Sequence, residues 1–181
     1  MTEDVDRPVL SRPLKVDEIK DGASAEIAAN DAELDAMAKM LNLVAIEGLT
    51  FTCRFDRRGG GRLCLTGTLR GLATQTCVIS LEPIEAVLEV PVEQEFWPAA
   101  LIAQLEQNAA DSGGAGIFNW PEPIVDGRID LGPVIYESLA TALDPYPRRE
   151  GASFDWSQGP EDEAKGTRSG PFAALAALKR R

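Results

Sequence analysis

Apolar and polar residues alternate most regularly in the stretch PIEAVLEVPVEQEFWP, residues 83–98. A period of two is typical of a half-buried antiparallel strand, with one apolar face and one solvated face. The apolar face would consist of Ile84, Ala86, Leu88, Val90, Val92 and Phe96, and the outer face would carry Glu85, Glu89, Glu93 and Glu95. Pro91 favours an edge position or a bulge, because proline cannot donate a ladder hydrogen bond.

The same period of two runs through the preceding residues. Phe51, Cys53 and Phe55 share one face of a predicted strand, RRGGGR is a predicted turn, and Leu63, Leu65 and Leu69 share one face of the returning chain. That return is one long strand or a strand pair broken near Gly71. Residues 43–97 are therefore predicted to form the antiparallel centre of one domain.

Helical patterns precede and follow this centre. Asn30 and Glu33 have the spacing of a capping box before the apolar stripe of DAELDAMAKMLN. PAALIAQLEQ is a predicted short helix, and LGPVIYESLATAL is a predicted helix whose buried side includes Ala142 and Leu143. SRPLKVDEI and EPIVDGRIDL are predicted strands, the second with a turn at Asp126-Gly127. The pattern predicts an α+β fold over residues 1–150, a single domain with a central antiparallel β-sheet or partial barrel flanked by helices.

The C-terminal residues have a different composition. Residues 151–170 are rich in Gly, Ser and charge, which predicts a flexible linker. Residues 171–181, PFAALAALKRR, predict a short helix opened by proline and closed by cations. Such a helix is too short to be stable alone, so it is expected to dock on its own domain or on a partner, and the long linker favours a partner. The partner-docking candidates are Pro171, Phe172, Leu175, Leu178, Lys179, Arg180 and Arg181.

The formal net charge is −11, which argues against a protein that simply coats nucleic acid. Residues 51–81 nevertheless form a basic island, because five arginines there face Asp56 alone. One interpretation is that these arginines decorate a hairpin and pair with nearby carboxylates. The other is a patch that contacts RNA phosphates. The RNA-contact candidates are Arg54, Arg57, Arg58, Arg62 and Arg70.

Residue types for catalysis and metal binding are sparse. The sequence has no histidine, which removes the usual Ser-His-Asp and Cys-His systems. Its three cysteines lack a CxxC spacing, and Cys53 is expected in the core. Asp126 and Asp130 are expected in turn and cap roles. We therefore expect no enzyme activity, no metal and no cofactor. Without an apolar N-terminus or a run of about 20 apolar residues, we expect a cytoplasmic protein that does not enter a membrane.

Three stretches carry a resemblance to a known family. They are TCVISLEPIE, GRIDLGPVIYESLATALDPYPRR and SGPFAALAALKRR, in that order. They resemble the YceD-type large ribosomal RNA accumulation proteins, in the form typical of alphaproteobacteria, over most of residues 10–181. The family commonly closes in Asn-Pro-Phe-Ala-x-Leu-x-x-Leu-Lys, and here Gly170 replaces the asparagine. Many members carry a CxxC where this chain has only Cys77, so a metal site in such relatives does not transfer.

The resemblance implies a non-catalytic role in accumulation or assembly of the large ribosomal subunit RNA. Two mechanisms remain open. In the first, the basic hairpin and the C-terminal helix contact large-subunit rRNA or a precursor ribosomal particle. In the second, the protein is an acidic adaptor or chaperone that holds a basic ribosomal protein on its Glu85–Glu95 face and never touches RNA.

Overall fold

The computed structural model describes residues 9–111 and 120–153. The strands in these ranges are β1 (Pro13–Lys15), β2 (Ser24–Ala28), β3 (Ala45–Arg58), β4 (Arg62–Thr76), β5 (Pro83–Pro98), β6 (Glu122–Ile124) and β7 (Arg128–Asp130). The helices are α1 (Asp31–Met40), α2 (Ala99–Asp111) and α3 (Leu131–Ala142). The predicted helix at 171–181, and all of the predicted linker after its first three residues, lie outside the described residues.

The main sheet has five strands in the order β2-β3-β4-β5-β6. Neighbouring strands are antiparallel from β2 to β5, whereas β6 pairs in parallel with the last residues of β5. The sheet is open, with β2 and β6 at its edges. This architecture confirms the predicted α+β single domain. The predicted antiparallel centre, residues 43–97, contains β3, β4 and β5, and these strands are antiparallel as predicted.

The two longest strands form a hairpin that continues past the glycine where a break was one alternative. β4 runs without interruption through Gly71, opposite an irregularity in β3 between Glu47 and Thr50. A side chain at Gly71 would lie 3.1 Å from the Leu49 Cδ1 atom, so the missing side chain lets Leu49 pack across the strand. β5 has the predicted bounds, 83–98, and β6 pairs only beyond Phe96, which leaves Pro91 on an edge portion of the strand.

One face of the sheet forms the core together with α1 and α3. The buried cluster includes the predicted sheet residues Phe51, Cys53, Phe55, Leu63, Leu65, Leu69, Leu88, Val92 and Phe96. Met37 and Ala38 from α1 and Leu131, Ile135 and Leu139 from α3 pack in the same cluster. Leu143 is half-buried, but Ala142 is exposed, because it is the last residue of α3. The prediction that Ala142 is buried was therefore wrong.

A second, small sheet holds the N-terminal segment. SRPLKVDEI contributes only the three residues of β1, and a 3₁₀ turn at Val16–Glu18 follows. β1 pairs with β7 and not with the main sheet. EPIVDGRIDL likewise forms two short strands in different sheets, joined by the predicted turn, in which Asp126 and Gly127 have positive φ angles of 49° and 68°.

Asp130 joins this N-terminal segment to α3. Its carboxylate accepts hydrogen bonds from the Ser11 hydroxyl at 2.6 Å, the Arg12 backbone N–H at 2.6 Å and the Gly132 backbone N–H at 2.9 Å. Burial would raise the pKa of Asp130, but these hydrogen bonds and the Arg12 charge outweigh it and lower the pKa. The predicted cap role of Asp130 is confirmed.

Arg12 extends the connection to α1. Its guanidinium donates two hydrogen bonds of 2.8 Å to the carboxylate of Glu33. Glu33 and Asn30 form the predicted capping box, in which each side chain bonds the backbone N–H of the other. The hydrogen bond from Arg12 lowers the pKa of Glu33, and the backbone bond to Asn30 adds to this. The N-terminal segment thus links the starts of α1 and α3.

Candidate nucleic-acid interface

The β3–β4 hairpin ends in a glycine turn that brings three of the candidate arginines together. The strands pair as far as Arg58 and Arg62, and Gly59–Gly61 close the turn. Gly60 and Gly61 have φ angles of 78° and 74°, a region that glycine adopts without a side-chain penalty. The predicted turn is confirmed, and it places Arg57, Arg58 and Arg62 at one tip of the sheet.

Arg57 holds the hairpin to the N-terminal part of the domain. Its Nη1 atom donates to the backbone carbonyls of Val16 at 3.1 Å and Ile19 at 2.9 Å. Its backbone N–H donates to the Asp21 carboxylate at 2.7 Å. Replacement of Arg57 would therefore disturb the fold as well as the charge of the tip.

Arg62 stacks on an aromatic side chain that was not among the sequence candidates. Its Cζ atom lies 5.1 Å from the centroid of the Trp97 ring, within cation–π range. The Arg62 Nε–H donates to the Gly59 carbonyl at 2.8 Å. The Trp97 indole N–H donates to the Glu95 carboxylate at 2.7 Å, which fixes the ring. Guanidinium and indole are thus both held in place at the tip.

An open groove of about 400 Å³ lies beside this stack, between the turn and α2. It is lined by Gly59, Gly60, Arg62, Trp97, Leu101, Gln104, Leu105 and Asn108. The strand register could have identified Trp97. Leu63 pairs with Phe96 in antiparallel strands, so Arg62, which precedes Leu63, lies beside Trp97, which follows Phe96. The contribution of α2 follows from its packing and has no comparable sequence signal.

Arg54 and Arg70 lie apart from the tip. Arg54 pairs with Asp56 at 3.3 Å, and Arg70 pairs with Glu89 at 2.7 Å, all on the outer face of the sheet. Exposed pairs of this kind contribute about 0–1 kcal/mol each. Arg70 is eight residues from Arg62 along β4, or about 26 Å by strand rise. Arg54 lies four residues from Arg58 along β3, between the tip and the level of Arg70, so the five candidates are spread along the hairpin and do not form one patch.

The opposite end of the sheet contains a buried thiol in an unusual environment. The Sγ atom of Cys77 accepts backbone N–H groups from Ile79 at 3.4 Å, Ser80 at 3.3 Å and Arg149 at 3.4 Å. Hydrogen bonds from the Ser80 side chain, the Arg149 backbone and the Ser80 backbone lower the pKa of Cys77 from 9.0 to about 6, although burial opposes the shift. The Cys77 sulfur therefore joins the β4–β5 turn to the chain that follows α3.

This environment predicts a pH-dependent stability. Because the folded-state pKa is depressed, the contribution of Cys77 is fully present above its unfolded-state pKa and is lost as pH falls toward about 6. Urea unfolding between pH 6 and pH 9 should therefore show stability rising with pH, and Cys77→Ser should flatten this rise. Cys64→Ser is the matched control, since burial raises the pKa of Cys64. If the free energy of unfolding rises with pH equally steeply in Cys77→Ser and in the unmodified protein, the prediction is wrong.

Two further observations concern the described residues. Between 9 and 111 and between 120 and 153, no helix is long and apolar enough to cross a membrane. In the same ranges, no group of three or more Cys, Asp or Glu side chains is placed to hold a metal ion. The partner-docking candidates Pro171, Phe172, Leu175, Leu178, Lys179, Arg180 and Arg181 lie outside the described part of the chain.

The sequence matches the family model for the large ribosomal RNA subunit accumulation protein YceD over residues 65–179, more than half of the chain. The match begins within β4, so it includes Arg70 and residues 172–179 but starts after the hairpin tip. Comparisons with curated proteins and with solved structures gave no significant match. On the strength of the family match, the chain belongs to the YceD family of large ribosomal RNA subunit accumulation proteins.

Proposed function

We propose that this protein promotes accumulation of the large ribosomal subunit RNA as a non-catalytic cytoplasmic factor, by contacting rRNA or a precursor particle. Family membership supports the process, since the family is described by large ribosomal RNA accumulation. The observation that carries direct RNA contact is the pair Arg58 and Arg62, which lie directly opposite each other at one exposed tip beside a fixed tryptophan. Cations with a neighbouring aromatic ring are a common arrangement for RNA contact.

Arg58 is the arginine of this tip best suited to a phosphate. Its side chain is exposed, so its guanidinium is accessible to a phosphate oxygen. Arg57 and Arg62 are engaged with backbone carbonyls, so they place charge at the tip while also holding its shape. The acidic faces of the domain would repel RNA elsewhere on the domain and would favour contact at this tip.

The acidic-adaptor alternative depends on the glutamates of β5. Glu89 already pairs with Arg70, and Glu95 accepts the Trp97 indole N–H. The pair with Arg70 offsets one negative charge of this face, and the bond from Trp97 directs the Glu95 carboxylate toward the indole. The adaptor mechanism requires that binding to a basic ribosomal protein depend on this face.

The charge-reversal variant Arg58→Glu tests the proposal without disturbing the contacts of Arg57 and Arg62. We expect weaker co-sedimentation with large-subunit precursors. We also expect the slope of the logarithm of the RNA-binding constant against the logarithm of salt concentration to decrease in magnitude by about one unit or more. Thermal stability should stay within about 0.5 kcal/mol, as for other exposed substitutions.

Arg148→Glu is the matched control, because it makes the same charge change at an exposed residue near the opposite end of the sheet. If both variants co-sediment like the unmodified protein and binding to a basic ribosomal protein depends on Glu85 and Glu93, the adaptor mechanism is correct and RNA contact at the tip is wrong.

A further inference from the structure

The groove beside the Arg62–Trp97 stack has the composition of a site for a planar polar ring. Its volume of about 400 Å³ lies in the range of roughly 300–1,000 Å³ typical of small-molecule sites. Among the described residues that line it, Arg62 alone is charged. The remaining lining is backbone, apolar side chains and two side-chain amides, so the groove suits an aromatic ring better than a phosphate.

We propose that this groove binds one unpaired RNA base, which stacks on the Arg62 guanidinium and is read by Gln104. The inference rests on the proposed function and assigns it a ligand: single-stranded or looped RNA, in preference to a duplex. Stacking on guanidinium planes and on aromatic side chains is how proteins hold unpaired bases, whereas bases within a duplex are already stacked.

The stack is prepared before any ligand binds. The Arg62 Cζ atom lies over the Trp97 ring, 5.1 Å from its centroid, and the bond to the Gly59 carbonyl holds the Arg62 Nε–H. A guanidinium stacked on one ring still has a second planar face for another ring. Glu95 bonds the edge of the indole, so it fixes the ring without covering the groove lining.

The opposite wall is one side of α2. Leu101 and Leu105 are four residues apart, as are Gln104 and Asn108, so each pair lies along the same side of the helix. The leucines supply an apolar surface, and the Gln104 amide supplies donors and an acceptor that match the edge of a base.

The glycine turn keeps the groove open. A side chain at Gly60 would begin 3.6 Å from the Leu101 Cδ1 atom and would narrow the space between the turn and the helix. The positive φ of Gly60 also disfavours any other residue there. The same three glycines therefore shape both the tip and the mouth of the groove.

The test measures affinity by fluorescence anisotropy for a labelled short RNA of mixed sequence, either single-stranded or annealed to its complement. The unmodified protein should prefer the single strand by about tenfold, in line with the contribution of one stacked base. Arg62→Lys, which keeps the charge but loses the plane, and Gln104→Ala should each remove most of this preference. The matched controls Arg148→Lys and Gln107→Ala should change affinity less than twofold, since neither residue lines the groove.

The outcomes separate this inference from the proposed function. Equal affinity for both RNAs, with Gln104→Ala behaving like Gln107→Ala, would overturn the base site while RNA contact by the tip remains. Loss in Arg62→Lys without loss in Gln104→Ala would also overturn it. If the protein binds neither RNA, both the base site and the proposed RNA contact at the tip are wrong. Should Arg62→Lys fail to fold, Gln104→Ala decides, because Gln104 is exposed on its helix.

Discussion

Replacement of Gly132 by alanine should destabilise the domain by about 3 kcal/mol, because the added methyl group has no room. A Cβ atom at this position would lie 1.9 Å from the backbone oxygen of Leu10 and 2.8 Å from the Cα atom of Ser11. The obstacle is backbone, which cannot rotate away as a side chain can. Relief requires the N-terminal segment to move off the start of α3, and that movement breaks the bonds to Asp130.

Urea unfolding measures this loss, and Gly59→Ala is the matched control. At Gly59 an added Cβ meets nothing within 4 Å, and the backbone is outside the left-handed region. We expect a change within about 0.5 kcal/mol there. A Gly132→Ala variant as stable as Gly59→Ala would show that the segment from Leu10 to Arg12 does not pack on α3 as described.

The parts of the fold that could be predicted are those with long, regular patterns. β5 has a period of two over sixteen residues, and its bounds were predicted correctly. α1 combines an apolar stripe with the Asn30–Glu33 capping box, and both signals are local. In each case neighbouring residues in sequence are sufficient, because the period and the cap are properties of a single element.

The parts that could not be predicted depend on residues far apart in sequence. β1 and β7 are three residues each, too short to show a period, and they exist because Asp130 bonds a segment 118 residues earlier. β2 was missed for a related reason: its sequence SAEIA alternates, but alanine on both faces weakens the contrast. The parallel pairing of β6 likewise follows from how α2 returns the chain, and no local signal indicates it.

The candidate site shows the same division. The run of arginines and glycines predicted a basic turn, and Arg58 and Arg62 do meet there, whereas Arg57 points to the other face of the strand. What each arginine contacts could not be predicted, because the partners of Arg57 are backbone carbonyls from a distant turn. The sequence also placed Arg54 and Arg70 in the same group, although strand geometry separates Arg70 from the tip.

Removal of residues 169–181 should abolish the ribosome-related function while leaving the domain intact. The family match extends to residue 179, so it contains the apolar positions Phe172, Leu175 and Leu178. The buried core of the described residues runs from Leu10 to Leu139, and the deletion removes none of it. The melting temperature should therefore stay within about 2 °C.

The balance between the free energy of apolar burial and the cost of ordering the backbone favours docking of this segment on a partner. Burial of the three apolar side chains contributes roughly 1.5–3 kcal/mol each, whereas ordering the backbone opposes it by about 1–2 kcal/mol per residue. Over eleven residues ordering costs about 11–22 kcal/mol, which exceeds the roughly 4.5–9 kcal/mol from burial, so a larger contact surface is needed. Lys179, Arg180 and Arg181 follow the stripe and would favour an acidic surface or RNA as that partner.

A pair of matched variants distinguishes the apolar stripe from the tail as a whole. A variant with serine in place of Phe172, Leu175 and Leu178 should have the same effect as the deletion. When this variant replaces the native protein in cells, we expect large-subunit RNA to fail to accumulate. Serine at Ala173, Ala174 and Ala177 makes the same number of changes on other positions of the segment, and accumulation should persist. If the deletion instead lowers the melting temperature by several degrees, the segment stabilises its own domain, and the proposal that it docks on a partner is wrong.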